Sequence, residues 1–271
     1  MKVAAIQMVS GTALDGNLRV ARELLEQAAQ GGAELTVLPE YFCLMGHKDT
    51  DKLALRETAG SGVIQQFLAD TARSLQMWIV GGTLPLATDV PDRVRNSTLV
   101  FDPEGACVAR YDKIHLFRFS DGAVQYDEGR VIEAGDTPVH FDVQARNGRR
   151  WRVGLSVCYD LRFPELYRAH ALAGADLLLV PSAFTRTTGQ AHWEVLLRAR
   201  AVENLAYVLA PAQGGVHANG RHTWGHSMLV DPWGDIVAQR DQGAGVVTGE
   251  LDAQRLGAMR AQLPALTHRV L

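Results

Sequence analysis

The sequence predicts an α/β fold built as a four-layer α-β-β-α sandwich, and two observations carry that expectation. β-rich runs alternate with helical periodicities, and the second half of the chain repeats the grammar of the first. In order, Val3–Met8 reads as a strand. A helix follows over Asn17–Gln30, with Leu18, Ala21, Leu25 and Ala28 at helical spacing and Asp15 as its cap. Leu35–Leu38 is a short buried-type strand that stops at Pro39. Ser61 opens a second helix with Ile64, Phe67, Leu68, Thr71 and Leu75 on one face, and Trp78–Gly82 is the next strand.

The echoes come in the same order. Val3–Met8 (VAAIQM) corresponds to VGLSVC at 153–158, GGAELTVLPEYF (31–42) to AGADLLLVPSAF (173–184), and STLVFDPEG (97–105) to HSMLVDPWG (226–234). Each D-P-x-G marks a tight hairpin, because Pro sets one φ and Gly frees another. Two such halves, stacked sheet to sheet with helices outside, make the sandwich. No Ser/Gly-rich linker separates them, so residues 1–271 read as one domain.

Composition narrows the function classes. The 271 residues are 47% hydrophobic and 21% charged, an ordinary globular balance. Net charge is −3, from 27 Lys+Arg against 30 Asp+Glu, so no bulk basic field holds nucleic acid or an anionic membrane. No run approaches the ~20 apolar residues of a membrane span. The start, Met1 to Met8, reads as a first strand and not as a signal peptide. Three cysteines, Cys43, Cys107 and Cys158, are widely spaced with no CxxC. That speaks against a disulfide framework and for a reducing, cytoplasmic setting.

Three residues stand out as candidates for chemistry. Cys158 closes an apolar strand (Val153, Leu155, Val157) and precedes Tyr159-Asp160-Leu161-Arg162-Phe163-Pro164, an elbow into a helix. A thiol there sits at a sheet edge beside backbone N–H groups that stabilise an oxyanion and lower the thiol pKa. The alternative is an inert buried cysteine. Glu40 ends its strand in LPEYF, where apolar surroundings raise a carboxyl pKa toward that of a general base; a solvated loop Glu is the plainer reading. Lys113, in RYDKIHL after the first D-P-x-G turn, is either an oxyanion-stabilising ammonium or a surface lysine.

LPEYF, YDKIHLF and SVCYDLRFPEL resemble the three signature segments of the nitrilase superfamily of carbon–nitrogen hydrolases, and the similarity extends along essentially the whole chain. The resemblance implies the α-β-β-α sandwich, a Glu40–Lys113–Cys158 triad and homo-oligomers. It adds a second glutamate, which maps onto Glu128, with Asp127 as a one-residue-slip rival. In the implied chemistry Cys158 adds to an amide carbonyl, Glu40 takes and returns the proton, and Lys113 with the Tyr159 N–H holds the oxyanion. A thioester is then hydrolysed, with no metal and no organic cofactor.

HWEVLLRARAVEN, WGHSMLVDPWG and LPALTHR (263–269) resemble the Nit branch, amidases of 2-oxo acid amides. The run AQGGVHANGRHTWGHS (212–227) resembles deaminated-glutathione amidases more than ω-amidases acting on 2-oxoglutaramate. A nitrilase, an N-carbamoyl amidohydrolase and an inactive binding protein on the same fold are the alternatives. Arg186 is placed to meet a substrate carboxylate, or it faces water. Arg162 reads as half of an ion pair. His217, His222 and His226 suit loop and turn roles better than a metal site. A Cys158 dyad with His115 or His192 leaves Glu40 and Lys113 without a role. Helices near 164–172 and 189–204 carry apolar residues on more than one face, which calls for a homodimer or larger assembly, with the tail at about 260–271 available for its contacts.

Overall fold

The computed structural model describes residues 1–120 and 125–270. The first half runs β1 (Lys2–Gln7), α1 (Leu14–Gln30), β2 (Leu35–Val37), a one-turn α2 (Asp51–Ala54), α3 (Val63–Leu75), β3 (Trp78–Ala87), β4 (Val94–Phe101) and β5 (Cys107–Asp112). A small ribbon of β6 (Arg118–Ser120) and β7 (Gln125–Asp127) follows. The second half runs β8 (His140–Gln144), β9 (Arg150–Leu155), α4 (Pro164–Leu172), β10 (Leu177–Leu179), α5 (Arg186–Asn204), β11 (Tyr207–Ala210), β12 (Ser227–Val230) and β13 (Ile236–Arg240). The chain then continues into β14 (Gly245–Glu250) and α6 (Ala253–Gln262).

The described residues form two six-stranded sheets, ordered β14-β1-β2-β3-β4-β5 and β13-β12-β11-β10-β9-β8. The duplication is visible in the pairing. β1-β2-β3 are parallel and β3-β4-β5 antiparallel. In the other half β9-β10-β11 are parallel and β11-β12-β13 antiparallel. Each sheet gains one antiparallel edge strand, β14 beside β1 and β8 beside β9.

Side-chain alternation builds the layers. Val3, Ala5, Leu35, Val37 and Val80 face Val153, Leu155, Leu177 and Leu179 in one apolar cluster between the sheets. Their neighbours Ala4, Ile6 and Ile79 pack instead on Leu25 and Ala28 of α1 and on Leu68 and Ala72 of α3. With a period of two, a strand apolar at every position is buried on both faces, which is why these strands are unbroken hydrophobic runs. Leu166 and Tyr167 of α4 and Trp193 and Leu197 of α5 cover the outer face of the second sheet.

Both D-P-x-G segments form the turns expected of them. Asp102 Oδ1 accepts the Glu104 and Ala106 N–H groups at 3.1 and 2.8 Å, and Gly105 has φ 79°. Asp231 Oδ1 accepts the Trp233 and Asp235 N–H groups, both at 2.9 Å, and Gly234 has φ 89°.

Helix starts and strand ends differ from the sequence reading. α1 begins at Leu14 after Ala13, which makes no side-chain cap; Asp15 lies inside the first turn, where its charge meets the positive helix end. α3 begins at Val63 and not at Ser61. Its orphan N–H groups are met by the more distant Glu57, whose carboxylate accepts Ile64 N at 2.6 Å and Gln65 N at 3.1 Å. β3 runs on to Ala87 because β4 pairs with it that far. β1 and β2 each stop one residue early, Met8 making an isolated bridge to Gln213.

Candidate active site

Three strand ends deliver the functional side chains to one cleft. β9 ends at Leu155, and three residues later Cys158 takes φ 51°, a left-handed conformation that costs a non-glycine residue energy and turns the chain sharply into a five-residue 3₁₀ turn. The elbow is fixed by Cys158 N–H donating to Pro181 O at 3.0 Å. Glu40 follows β2, and its neighbour Tyr41 also has positive φ, at 56°. Lys113 follows β5, its N–H donating to Asn96 O at 3.0 Å.

Lys113 is the centre of the cluster, its side chain wholly buried. Its ammonium donates to Glu40 Oε1 at 2.9 Å and to Glu128 Oε1 and Oε2 at 3.0 and 2.8 Å. Glu40 also accepts from Asn96 Nδ2 at 3.0 Å and, on Oε2, from the Ala183 N–H at 2.9 Å. Glu128 accepts the Tyr41 hydroxyl and the Phe117 N–H, each at 2.7 Å. Asp127 turns away, accepting Gly129 N–H at 3.2 Å and lying 4.0 and 3.9 Å from Arg118 and Arg130. The ammonium is therefore met by Glu128, and Asp127 belongs to the ribbon.

These environments drive the two carboxyls apart. Burial raises the Glu40 pKa; the Lys113 ammonium opposes the rise without cancelling it, and the nearby Glu128 charge adds to it. Burial pushes Glu128 the same way, but the Lys113 ammonium together with the Phe117 N–H and the Tyr41 hydroxyl holds the carboxyl below its ordinary value. Burial opposes the Lys113 charge, yet Glu128 and Glu40 keep its pKa well above the usual lysine value. Two carboxyls with divergent affinities for a proton are the raw material of acid–base work, the raised one exchanging the proton and the lowered one staying charged.

The thiol departs from the sequence expectation. Burial, and then the Glu40 carboxylate, raise the Cys158 pKa well above its ordinary value despite Lys113. Cys158 thus rests as a thiol, with the Glu40 carboxyl beside it. Next to it the Tyr159 N–H meets no acceptor among the described residues. Cys43 is buried with a thiol pushed up to about 12, and Cys107 is exposed on β5.

The cleft over Cys158, about 730 Å³ counting the space open to solvent at its mouth, is walled by Tyr41, Met45, Phe117, Tyr126, Tyr159 and Phe184. Arg186 does not reach it. It is exposed at the first residue of α5, and the cleft is lined by Arg162 and Arg221 instead. Arg162 has no acidic partner among the described residues: it meets His192 Nδ1 at 3.3 Å and lies over the Tyr159 and Phe184 rings. The ion-pair reading of Arg162 is therefore corrected. Of the two dyad candidates, His115 is bound to Asp160 at 2.7 Å and His192 meets Arg162 at 3.3 Å, while His217 bonds Ser10 O and Thr223. Asn96, Tyr41, the Ala183 N–H and Arg221 are components that sequence reasoning missed. For the first, the available signal was the run of four polar residues, Arg95 to Thr98, leading into Leu99-Val100-Phe101.

Known proteins resemble this chain over nearly its whole length. Over 272 residues the chain is 43% identical to a Synechocystis protein named deaminated glutathione amidase, spanning 98% of this chain and 97% of that one. It is 38% identical over 274 residues to the human protein of that name, spanning 98% and 81%. Among solved structures, the Caenorhabditis elegans NitFhit protein superposes with a TM-score of 0.90 at 36% identity; the match covers 99% of this chain and 65% of that longer one. Saccharomyces cerevisiae Nit3, described as a member of branch 10 of the nitrilase superfamily, superposes with a TM-score of 0.85 at 29% identity, over 97% and 94% of the two chains. A mutant amidase from Nesterenkonia, with a TM-score of 0.79 at 27% identity over 97% and 98%, carries the product of acrylamide addition on its active-site cysteine. Residues 2–261 match the carbon–nitrogen hydrolase family model, and this chain belongs to that family of hydrolases acting on carbon–nitrogen bonds other than peptide bonds.

Proposed function

We propose that the protein hydrolyses the amide bond of deaminated glutathione, releasing cysteinylglycine and 2-oxoglutarate through a thioester on Cys158. The observation that carries the chemistry is the buried Lys113 ammonium shared by Glu40 and Glu128 beside the thiol. The choice of amide is supported by full-length similarity to proteins named for that activity.

The steps follow from the protonation states. As Cys158 sulfur bonds to the carbonyl carbon, its proton passes to Glu40, whose raised pKa suits it to receive one. The carbonyl oxygen becomes an oxyanion held by the Lys113 ammonium and the Tyr159 N–H, each such donor contributing roughly 3–4 kcal/mol to the transition state. Collapse breaks the C–N bond, and Glu40 gives its proton to the departing amine. Water then adds to the thioester as Glu40 takes its proton, and the C–S bond breaks with return of that proton to sulfur. Glu128 stays anionic, holding Lys113 charged and fixed in place. Arg162 and Arg221, in place of Arg186, are the cations available to substrate carboxylates.

The test is a turnover panel of deaminated glutathione, 2-oxoglutaramate, simple nitriles and N-carbamoyl compounds, with Cys158→Ala as control. A kcat/KM for deaminated glutathione at least about tenfold above 2-oxoglutaramate is expected, and the control should lose on the order of 10⁴-fold or more with its fold intact. Turnover of nitriles or N-carbamoyl compounds alone would place the enzyme elsewhere in the family.

The working form is proposed to be a cytoplasmic homodimer. α5 and the neighbouring β12–β13 turn leave Val195, Val202 and Trp233 exposed at 61%, 45% and 52%. Sedimentation at micromolar concentration should give twice 29.6 kDa, and a clean monomer removes the proposal. Residues after Gln262 are mostly exposed, and just before them Arg260 is tied to Asp176 of its own chain; Leu271 lies outside the described residues.

No helix among the described residues is long and apolar enough to cross a membrane.

A further inference from the structure

The charges lining the cleft do not balance within the chain. Each carboxylate there already faces a cation. Glu40 and Glu128 share Lys113, Asp49 lies 3.4 Å from Lys52, and Asp127 sits near Arg118 and Arg130. Two guanidiniums in the same cleft, Arg162 and Arg221, face no carboxylate among the described residues. Arg221 lies 5.2 Å over the Tyr126 ring and 3.9 Å from Met45 Sδ, contacts that orient a guanidinium while leaving its N–H fork unsatisfied by any anion.

The loop that presents Arg221 is built and not loose. His217, buried to 3% exposure, bonds Ser10 O at 2.9 Å and Thr223 Oγ1 at 2.7 Å, and its N–H donates to Arg221 O at 2.9 Å. Asn219 donates to Gly46 O at 2.6 Å and, through its own side-chain oxygen, accepts the Arg221 N–H at 2.9 Å. The loop is thereby pinned through Asn219 to the segment that carries Met45 and through His217 to Ser10, so the guanidinium is held at the cleft before any substrate arrives. A fork positioned in advance binds a planar carboxylate with less loss of freedom.

We propose that Arg221 recognises the terminal carboxylate of the leaving amine, so that the enzyme selects amides whose departing half ends in an anion. This rests on the substrate reading above, in which the amide carries two carboxylates, one on each side of the scissile bond. Arg162 belongs to the nucleophile's own 3₁₀ turn, four residues from Cys158, and serves the short acyl half that remains on the sulfur. Arg221 comes from the other wall, on a loop distant in sequence from the elbow, and serves the half that leaves. A small amide such as 2-oxoglutaramate offers nothing for it to hold.

The experiment compares kcat/KM of the wild type, Arg221→Gln and Arg221→Lys on three amides: deaminated glutathione, the same molecule with its glycine carboxylate converted to an amide, and 2-oxoglutaramate. For the wild type, amidating the glycine should cost about 10- to 100-fold, the worth of one charged hydrogen-bonded contact. In Arg221→Gln the preference for deaminated glutathione over both other amides should collapse by a similar factor, mainly through KM, and Arg221→Lys should restore part of it. An unaltered melting temperature excludes misfolding as the cause. Equal losses on all three amides, or none, overturn the proposal while leaving the substrate reading in place. Wild-type enzyme inert toward deaminated glutathione would remove the substrate reading and this inference together.

Discussion

Asp160 and Tyr111 are joined by a 2.6 Å hydrogen bond between two fully buried groups, and through it the nucleophile's turn is fastened to the strand that leads to Lys113. The same Asp160 oxygen accepts Val157 N–H at 2.8 Å, and its partner oxygen accepts both the N–H and the ring of His115. One carboxylate thus sets the distance between the sulfur-bearing elbow and the segment Tyr111–His115. Tyr111→Phe should cost about 1–2 kcal/mol of stability by removing one donor from a buried anion. Asp160→Asn should lower kcat more than KM, because it loosens Cys158 against Lys113 without touching the cleft wall. Equilibrium denaturation and steady-state kinetics on the two variants check both statements.

Glu128→Gln should lower kcat by roughly 10²–10⁴-fold, since it strips the Lys113 ammonium of the anion that holds it. Asp127→Asn should stay within a few-fold of wild type, because its partners are Gly129 and the exposed arginines of the ribbon. The reverse pattern would show that the functional carboxylate is Asp127.

Asn96→Ala tests whether Glu40 is the base. Glu40 must be ionised to accept the thiol proton, so kcat/KM should fall on an acid limb above the ordinary carboxyl value of 4.5. Asn96 donates to the ionised form, so removing it should move that limb to still higher pH and lower the plateau. The raised Cys158 and Lys113 values keep any alkaline limb above 9.0. A variant whose acid limb stays where the wild type's is would contradict the assignment of Glu40.

Stability should fall on acidification through His170. Burial lowers its pKa beneath the ordinary 6.5, and its ring Nε2 meets Leu155 O at 2.8 Å. A group with a depressed folded pKa contributes fully above its unfolded value. That contribution is lost as pH drops from 6.5 through the folded pKa, because the unfolded chain takes the proton first. His217 acts in the same direction. Urea denaturation of wild type and His170→Gln at pH 7.5 and 5.5 should show a shallower loss in the variant.

Much of the architecture was legible because it was written twice. The echoes around Leu35–Val37 and Leu177–Leu179 are the central strands of equivalent sheets, and unbroken apolar runs announce burial on both faces. Glu40, Lys113 and Cys158 could be singled out because each lies within three residues of a strand's end. What the sequence hid depends on long-range convergence. Asn96 lies 56 positions from the carboxylate it supports, and Arg221 reaches the cleft only because His217 is buried against Ser10. Glu57 caps a helix from seven residues before Ile64, while Ser61 sits in the position that local pattern favours. The thiol's raised pKa was misread for a related reason. Neighbouring N–H groups are visible in sequence, but the depth of burial and the Glu40 charge beside the sulfur are not.

The repeated topology carries a structural consequence. By the correspondence of the two halves, the place of Cys158 after β9 is taken after β1 by Met8, and the place of Glu40 after β2 is taken after β10 by Ser182. Met8 and Ser182 are both sealed from solvent, and both bridge to the segment Ala212–Gln213. A fold of two like halves offers two equivalent seats for chemistry. In the present chain one seat is filled with side chains and has become a foundation, leaving the opposite one free to specialise as a single reaction centre.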